Sequence, residues 1–165
     1  MVPEQLADQI VVCEDPLCTE PLLTSLDSFV TPVDLFFVRH HFSDVPKLDA
    51  ATWTLTIDGE VENSLNISYQ ELLKLPQRTL PVTFECAGNS RVAMSPPVEG
   101  VLWGNGAVGN AEWTGVSLRD VLMRAAIKDT ATEILFEGAD SGEEEEEGLK
   151  FALSYSRSLP LDKAM

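Results

Sequence analysis

The sequence predicts an α+β fold with a mixed sheet. Three observations carry that expectation. Strand-like and helix-like patterns are interleaved but short. Two stretches, residues 52–58 and 80–86, alternate apolar and polar side chains with period two, as a strand with one covered face does. No evenly spaced βαβ repeat appears, which sets aside a doubly wound sheet. The length, 165 residues, suits one domain, and such a chain buries roughly 70% of its unfolded surface. With 44% hydrophobic and 23% charged residues, the chain is neither disordered nor fibrous in composition.

The elements follow in order. Residues 1–30 read as an extended N-terminal arm, interrupted by Pro3, Pro16 and Pro21, with one helical turn near Pro21–Leu26. A domain is expected to fill 31–165. Leu35–Val38 is an apolar run expected to form a short buried strand, and it leads straight into Arg39-His40-His41. The bland meaning of that triplet is a solvated edge. Its functional meaning is an anion pocket, because the guanidinium is a planar fork of donors and the two histidines are the only ones in the chain. Thr52–Asp58 is a strand turned back at Asp58-Gly59. Ser68 with Glu71 forms a capping-box pattern that starts a helix through Leu75, before Pro76.

Leu80–Cys86 comes next, with Leu80, Val82, Phe84 and Cys86 on one face, expected inward. The pattern breaks at Ala87-Gly88-Asn89. Cys86 therefore falls at a strand end, where a thiol can ligate a soft metal or attack an electrophile. A small buried hydrophobe is the equally plain alternative. A hydrolytic Cys–His pair would need an imidazole within hydrogen-bond reach of it.

Residues 92–116 show little regular pattern and five glycines. Long loops of this kind inside a domain are usually functional, and Trp103 and Trp113 argue for order. The GNGAVG run lacks the flanking strand and helix of a dinucleotide fingerprint. Ser117 with Asp120 is expected to cap a helix whose Leu118, Val121, Leu122 and Ala125 form a core stripe. Residues 132–138 read as a strand with Asp140 just past its end, Glu143–Glu147 as a solvated loop, and Ser158–Asp162 as a helix start.

Charge excludes some functions. Lys+Arg is 11 and Asp+Glu is 27, a formal charge of −16. Such a surface repels nucleic acid and anionic lipid, and an anion site on it must be locally basic. No apolar run reaches the ~20 residues of a membrane span, and the first residues lack the basic start of a signal peptide. These features leave a cytoplasmic protein, or a periplasmic one whose export signal has been removed. Three cysteines do not make a disulfide scaffold. Cys13 and Cys18 are spaced to pair or to bind metal, although no second Cys/His pair accompanies them.

Five blocks in order are specific enough to name a family: FFVRHH, FECAGNSR, GAVGNAEWTGVSLRDVL, FEGAD and RSLPLDKAM. They resemble the molybdopterin domain of sulfite oxidases, closest to the bacterial sulfite-oxidase-like oxidoreductases; plant-type nitrate reductase shares the domain. The resemblance covers nearly the whole chain from Thr31. It implies a Mo-molybdopterin cofactor, a pyranopterin dithiolene holding molybdenum, with Cys86 as the protein's metal ligand. It implies cofactor contacts from Phe37, Val38, Arg39, His40, His41 and Asp140, with Arg39 also receiving an anionic substrate. The implied reaction is two-electron oxygen-atom transfer, sulfite to sulfate, with a small sulfite-like anion as substrate. An acceptor such as a c-type cytochrome would take the electrons. Nitrate or sulfoxide reduction on the same domain is the alternative, and a non-catalytic remnant without cofactor is the alternative of another class. Two blocks depart from the family pattern: Arg-Asn-His is here Arg39-His40-His41, and Asn-Arg-Arg is Asn89-Ser90-Arg91. The resemblance further implies an N-terminal portion of a longer enzyme, inactive on its own, whose C-terminal domain forms a homodimer.

Overall fold

The computed structural model describes residues 8–146 and 148–165. Residues 1–7 of the arm and Glu147 of the glutamate run lie outside the described residues. The architecture is α+β, with short helices and strands paired into small sheets. The chain forms two compact units. Of the described residues, one unit holds those up to Val45 together with Leu80–Trp113; the other holds those of Pro46–Thr79 and Thr114–Met165.

In the first unit, β1 (Gln9–Cys13), β2 (Cys18–Pro21) and β3 (Val38–Arg39) form an antiparallel sheet in that order. In the described part of the arm, Gln9–Cys13 and Cys18–Pro21 are thus paired backbone, and Leu23–Ser25 forms a 3-10 turn where a helical turn was expected. All four residues of the central strand β2 are buried. Two of them are polar and need partners there. Thr19 donates to Gln9 Oε1 at 2.6 Å, and the Glu20 carboxylate accepts two backbone N–H groups described below. Gln9 in turn donates to the carbonyls of Asp34 and Phe36, fixing the turn before β3. The buried strand expected over Leu35–Val38 is reduced to the half-buried Val38 and exposed Arg39 of β3. Val33–Leu35 is instead a 3-10 turn, closed by Phe36 N–H donating to Val33 O at 3.3 Å.

In the second unit, β4 (Thr54–Ile57) and β5 (Leu65–Ser68) pair antiparallel, with Leu55 opposite Ile67. The helix α1 (Tyr69–Leu72) starts with the expected capping box. Ser68 Oγ accepts from Glu71 N–H at 3.2 Å, and Glu71 Oε2 accepts from Ser68 N–H at 3.0 Å. These bonds hold the Glu71 carboxyl below its usual range. The helix α2 (Leu118–Ala125) buries Val121, Leu122 and Ala125, as the stripe requires. Ser117 occupies its N-cap position, but its hydroxyl makes no capping bond; only backbone bonds from Asp120 and Val121 close the first turn.

Two strands are longer than the sequence pattern shows. The ribbon partner of β6 (Gln77–Glu85) is β7 (Val108–Val116), nine residues that read as irregular because glycines interrupt the alternation. All nine residues of β6 are exposed, so the face carrying Leu80, Val82 and Phe84 does not point inward. A two-stranded ribbon covers neither face by itself; among the described residues, Trp113 packs on Phe84 at 4.8 Å. The strand expected at 132–138 continues as β8 (Glu133–Glu146), paired with β9 (Leu149–Pro160). Glu143–Glu146 therefore lie in a strand rather than a loop. Glu143–Glu145 are exposed, which keeps their carboxylates wet, and Lys150 comes within 3.8 Å of Glu143. The terminal helix α3 (Leu161–Ala164) begins one residue after Pro160.

Candidate functional site: a thiol at the end of strand β6

Cys86 follows the last residue of β6, where the period-two pattern placed it. It is half-buried and a free thiol. Its backbone is fixed on both sides: its N–H donates to Ala107 O at 2.9 Å, and its carbonyl accepts from Asn89 N–H at 2.9 Å. Asn89 closes the turn further. Its Nδ2 donates to Glu85 Oε1 at 2.9 Å, and its Oδ1 accepts from Ala107 N–H at 3.2 Å. Ser90 then adopts a left-handed backbone, φ 65°, which a side chain makes unfavourable. Two bonds to the facing loop hold it there, from Ser90 N–H to Gly104 O and from Ser90 Oγ to Asn105 Oδ1, both 2.6 Å.

The facing loop is anchored in its turn by Glu20. Oε1 accepts from Gly104 N–H at 2.8 Å and Oε2 from Gly106 N–H at 2.9 Å. Charge-assisted bonds of this kind are roughly twice as strong as neutral ones. Gly106 is required by close approach: a Cβ there would stand 2.5 Å from Pro21 O. A chain of contacts thus runs from buried β2 through the 104–107 loop to the backbone of Cys86.

Beside the thiol lies a buried cluster of Cys18, Trp103 and Ala107, with Val12, Cys13, Phe37, Cys86 and Val101 packed against it. Phe37 meets Trp103 edge to face at 6.2 Å. Burial pushes the Cys18 thiol above its ordinary value.

The structure therefore brings Phe37 and Cys86 to one cluster. Val38 and Arg39 pair with Thr19 and Cys18 of β2, next to it. Arg39 is exposed and its guanidinium donates to the His40 carbonyl. His40 N–H donates to Leu17 O at 3.1 Å, and the His41 ring packs edge-on against buried Phe42. Arg91, two residues beyond Asn89, donates to Glu99 O, while its Nε is buried without a partner among the described residues. Asp140 belongs to the second unit and lies inside β8, at the irregularity between Glu137 and Ser141, rather than past a strand end. Among the described residues, no group of three or more His, Cys, Asp or Glu side chains is arranged to hold a metal ion. Sequence reasoning missed Glu20, Asn89 and Asn105. The one hint of Glu20 was the Gly-x-Gly of the loop, whose bare amides need an acceptor.

Comparison with known proteins agrees with the fold. Residues 41–165 match the family profile of the oxidoreductase molybdopterin binding domain, a span that includes His41, Cys86 and Asp140. The chain is 37% identical over 158 residues to the mitochondrial sulfite oxidase of Rattus norvegicus, covering 91% of this chain and 27% of the relative. It is 39% identical over 160 residues to a nitrate reductase [NAD(P)H] of Hordeum vulgare, covering 90% and 17%. The crystal structure of the sulfane dehydrogenase SoxCD from Paracoccus pantotrophus superposes with a TM-score of 0.75 at 26% identity, covering all of this chain and 42% of that one. The chain thus spans about a quarter of the sulfite oxidase it matches. With more than half of its residues matched and its fold shared, the chain belongs to the oxidoreductase molybdopterin-binding domain family, whose cofactor is molybdopterin.

Proposed function

We propose that this chain carries the metal-ligating part of a sulfite-oxidase-type molybdoenzyme, with Cys86 as the protein's thiolate ligand to molybdenum. The observation that carries this reading is the half-buried free thiol of Cys86, held at a strand end by bonds to Ala107 and Asn89. The donor chemistry fits the cofactor. A single soft sulfur suits a metal whose remaining sulfurs come from a dithiolene, and among the described residues no hydrogen bond is made to this sulfur. Bound molybdopterin would supply the two-electron oxygen-atom chemistry that no side chain here performs.

The chain's own residues hold and admit. The Glu20-anchored loop and Asn89 keep the Cys86 backbone from moving. Arg39, exposed on β3, would release the His40 carbonyl and receive the anion. Phe37, Val38, His40, His41 and Asp140 would contact the pterin. In this reading the domain fills 31–165, with residues 1–30 as its arm. The electron acceptor is a c-type cytochrome, for which an acidic surface of −16 suits a basic partner.

A second reading, nitrate reduction, draws on the 39% identity to the barley enzyme and on the Asn89-Ser90-Arg91 block. One cation fewer weakens capture of a doubly charged anion more than of a singly charged one. The test is turnover by protein made in a host that synthesises molybdopterin, with sulfite and ferricyanide against nitrate and a reduced dye. Sulfite turnover that falls at least ~100-fold in Cys86→Ser supports the proposal, since losing even an outer partner of a metal ligand costs 10–100-fold. Nitrate turnover alone would replace it with the second reading. Neither activity, with no molybdenum retained, would leave a remnant without cofactor.

A further inference from the structure

All three cysteines of the chain abut one buried point. Cys18 is in the cluster with Trp103 and Ala107, and both Cys13 and Cys86 pack against that cluster. Under oxidation Cys18 would therefore have two candidate partners, and one of them is the proposed metal ligand. The backbone favours the other. Cys13 and Cys18 are paired in the β1–β2 register, just past an irregularity between Val11 and Cys13. Opposed residues on antiparallel strands stand ~4.5–5.5 Å apart at Cα, within the ~4.4–6.8 Å that a disulfide spans. Cys18 belongs to the buried cluster and Cys13 packs against it. Neither sulfur has a strong competing partner: Cys13 Sγ reaches Asp15 O at 3.5 Å and Cys18 Sγ reaches His40 O at 3.8 Å. Cys86 reaches the cluster from the turn after β6, outside that ladder, with its backbone tied to Ala107 and Asn89.

We propose that Cys13 and Cys18 form a reversible disulfide in the presence of a low-molecular-weight disulfide oxidant, and that this pairing leaves Cys86 a single thiol. Cys13 is half-buried and meets the oxidant first, whereas Cys18 is fully buried. The Cys13 thiol loses its proton and attacks one oxidant sulfur, breaking the oxidant's S–S bond and releasing one small thiol. The Cys18 sulfur then attacks Cys13 Sγ, loses its proton and expels the second small thiol. Two electrons pass from the two cysteines to the oxidant, and two small thiols are formed. The loop closed is short, Glu14 to Leu17, so the bond adds little stability through chain entropy. Its consequence is chemical: Cys18 is withdrawn as a partner for Cys86.

The test needs no cofactor and no turnover. The folded chain is incubated with oxidised glutathione, alkylated, and mapped by mass spectrometry without reduction. The expected result is a cross-linked Cys13–Cys18 peptide with Cys86 fully alkylated. In Cys13→Ala, checked for folding by circular dichroism, Cys18 stays a reduced thiol and no internal link forms. A link that includes Cys86, in either protein, overturns the proposal. So does a wild-type chain in which Cys13 stops at the glutathione adduct, or in which no link forms.

Discussion

Arg39 and Cys86 divide the labour of the proposed site, and substitution should separate them. Arg39 is exposed, and the only hydrogen bond of its side chain among the described residues is to its neighbour's carbonyl, so the loss of that side chain leaves no buried group unpaired. Arg39→Gln should fold normally and raise KM for the anion roughly 10- to 100-fold, the worth of a charged hydrogen bond of ~1.5–3 kcal/mol. Steady-state kinetics with unchanged KM would remove Arg39 from substrate capture. Cys18 makes a pH prediction of its own. Its thiol form is favoured by burial in the native state, so its folded pKa lies above the ordinary 9.0. The unfolded chain therefore gives up this proton first as pH rises. The stabilisation is complete below pH 9.0 and is lost as pH climbs through the folded value. The urea midpoint should fall across that range, and Cys18→Ala should lack this component of the fall.

At the scale of elements, the loop before β7 depends on one carboxylate. In Glu20→Gln one oxygen becomes an NH2 facing a glycine N–H, donor against donor, in a buried setting. We expect a loss of about 2–3 kcal/mol, read as a lower urea midpoint with unchanged slope. A variant within 0.5 kcal/mol of the parent, about the scatter of neutral surface substitutions, would show that the loop holds itself. The α1 cap is a smaller case: Ser68→Ala should cost ~1 kcal/mol. These two examples also mark what the sequence allows one to see. Ser68 and Glu71 are three residues apart, and their bonds are local, so the pattern is sufficient. The same holds for the α2 stripe and for Cys86 at the end of β6. Glu20 meets partners 84 and 86 residues away, and nothing local announces them. The Ser117 cap failed for the opposite reason: the residue type was right, but the hydroxyl makes no capping bond. Strand β8 was cut short because a run of glutamates looks like a loop, while a ribbon with Glu143–Glu145 exposed tolerates them. Of the site residues, Cys86 and Phe37 share a cluster, but the placement of Asp140 within a strand was hidden by the Gly138-Ala139-Asp140 run.

On the scale of the molecule, net charge and span set the terms. A charge of −16 opposes the approach of an anion and favours a basic acceptor. With the Debye length near 10 Å at 0.1 M salt, added salt should raise kcat/KM for the anion and lower it for a basic cytochrome. Opposite trends would contradict the assignment of partners. No helix among the described residues is long and apolar enough to cross a membrane. The chain spans 27% of the rat sulfite oxidase and 42% of the SoxCD chain, whose fold it shares over that span. What the family match leaves to be measured is the bond on which the functional reading rests. Molybdenum-edge X-ray absorption of the loaded protein, parent against Cys86→Ser, measures it directly. One sulfur neighbour fewer around molybdenum is expected in the variant. An unchanged sulfur count, with molybdenum retained in full, would contradict it.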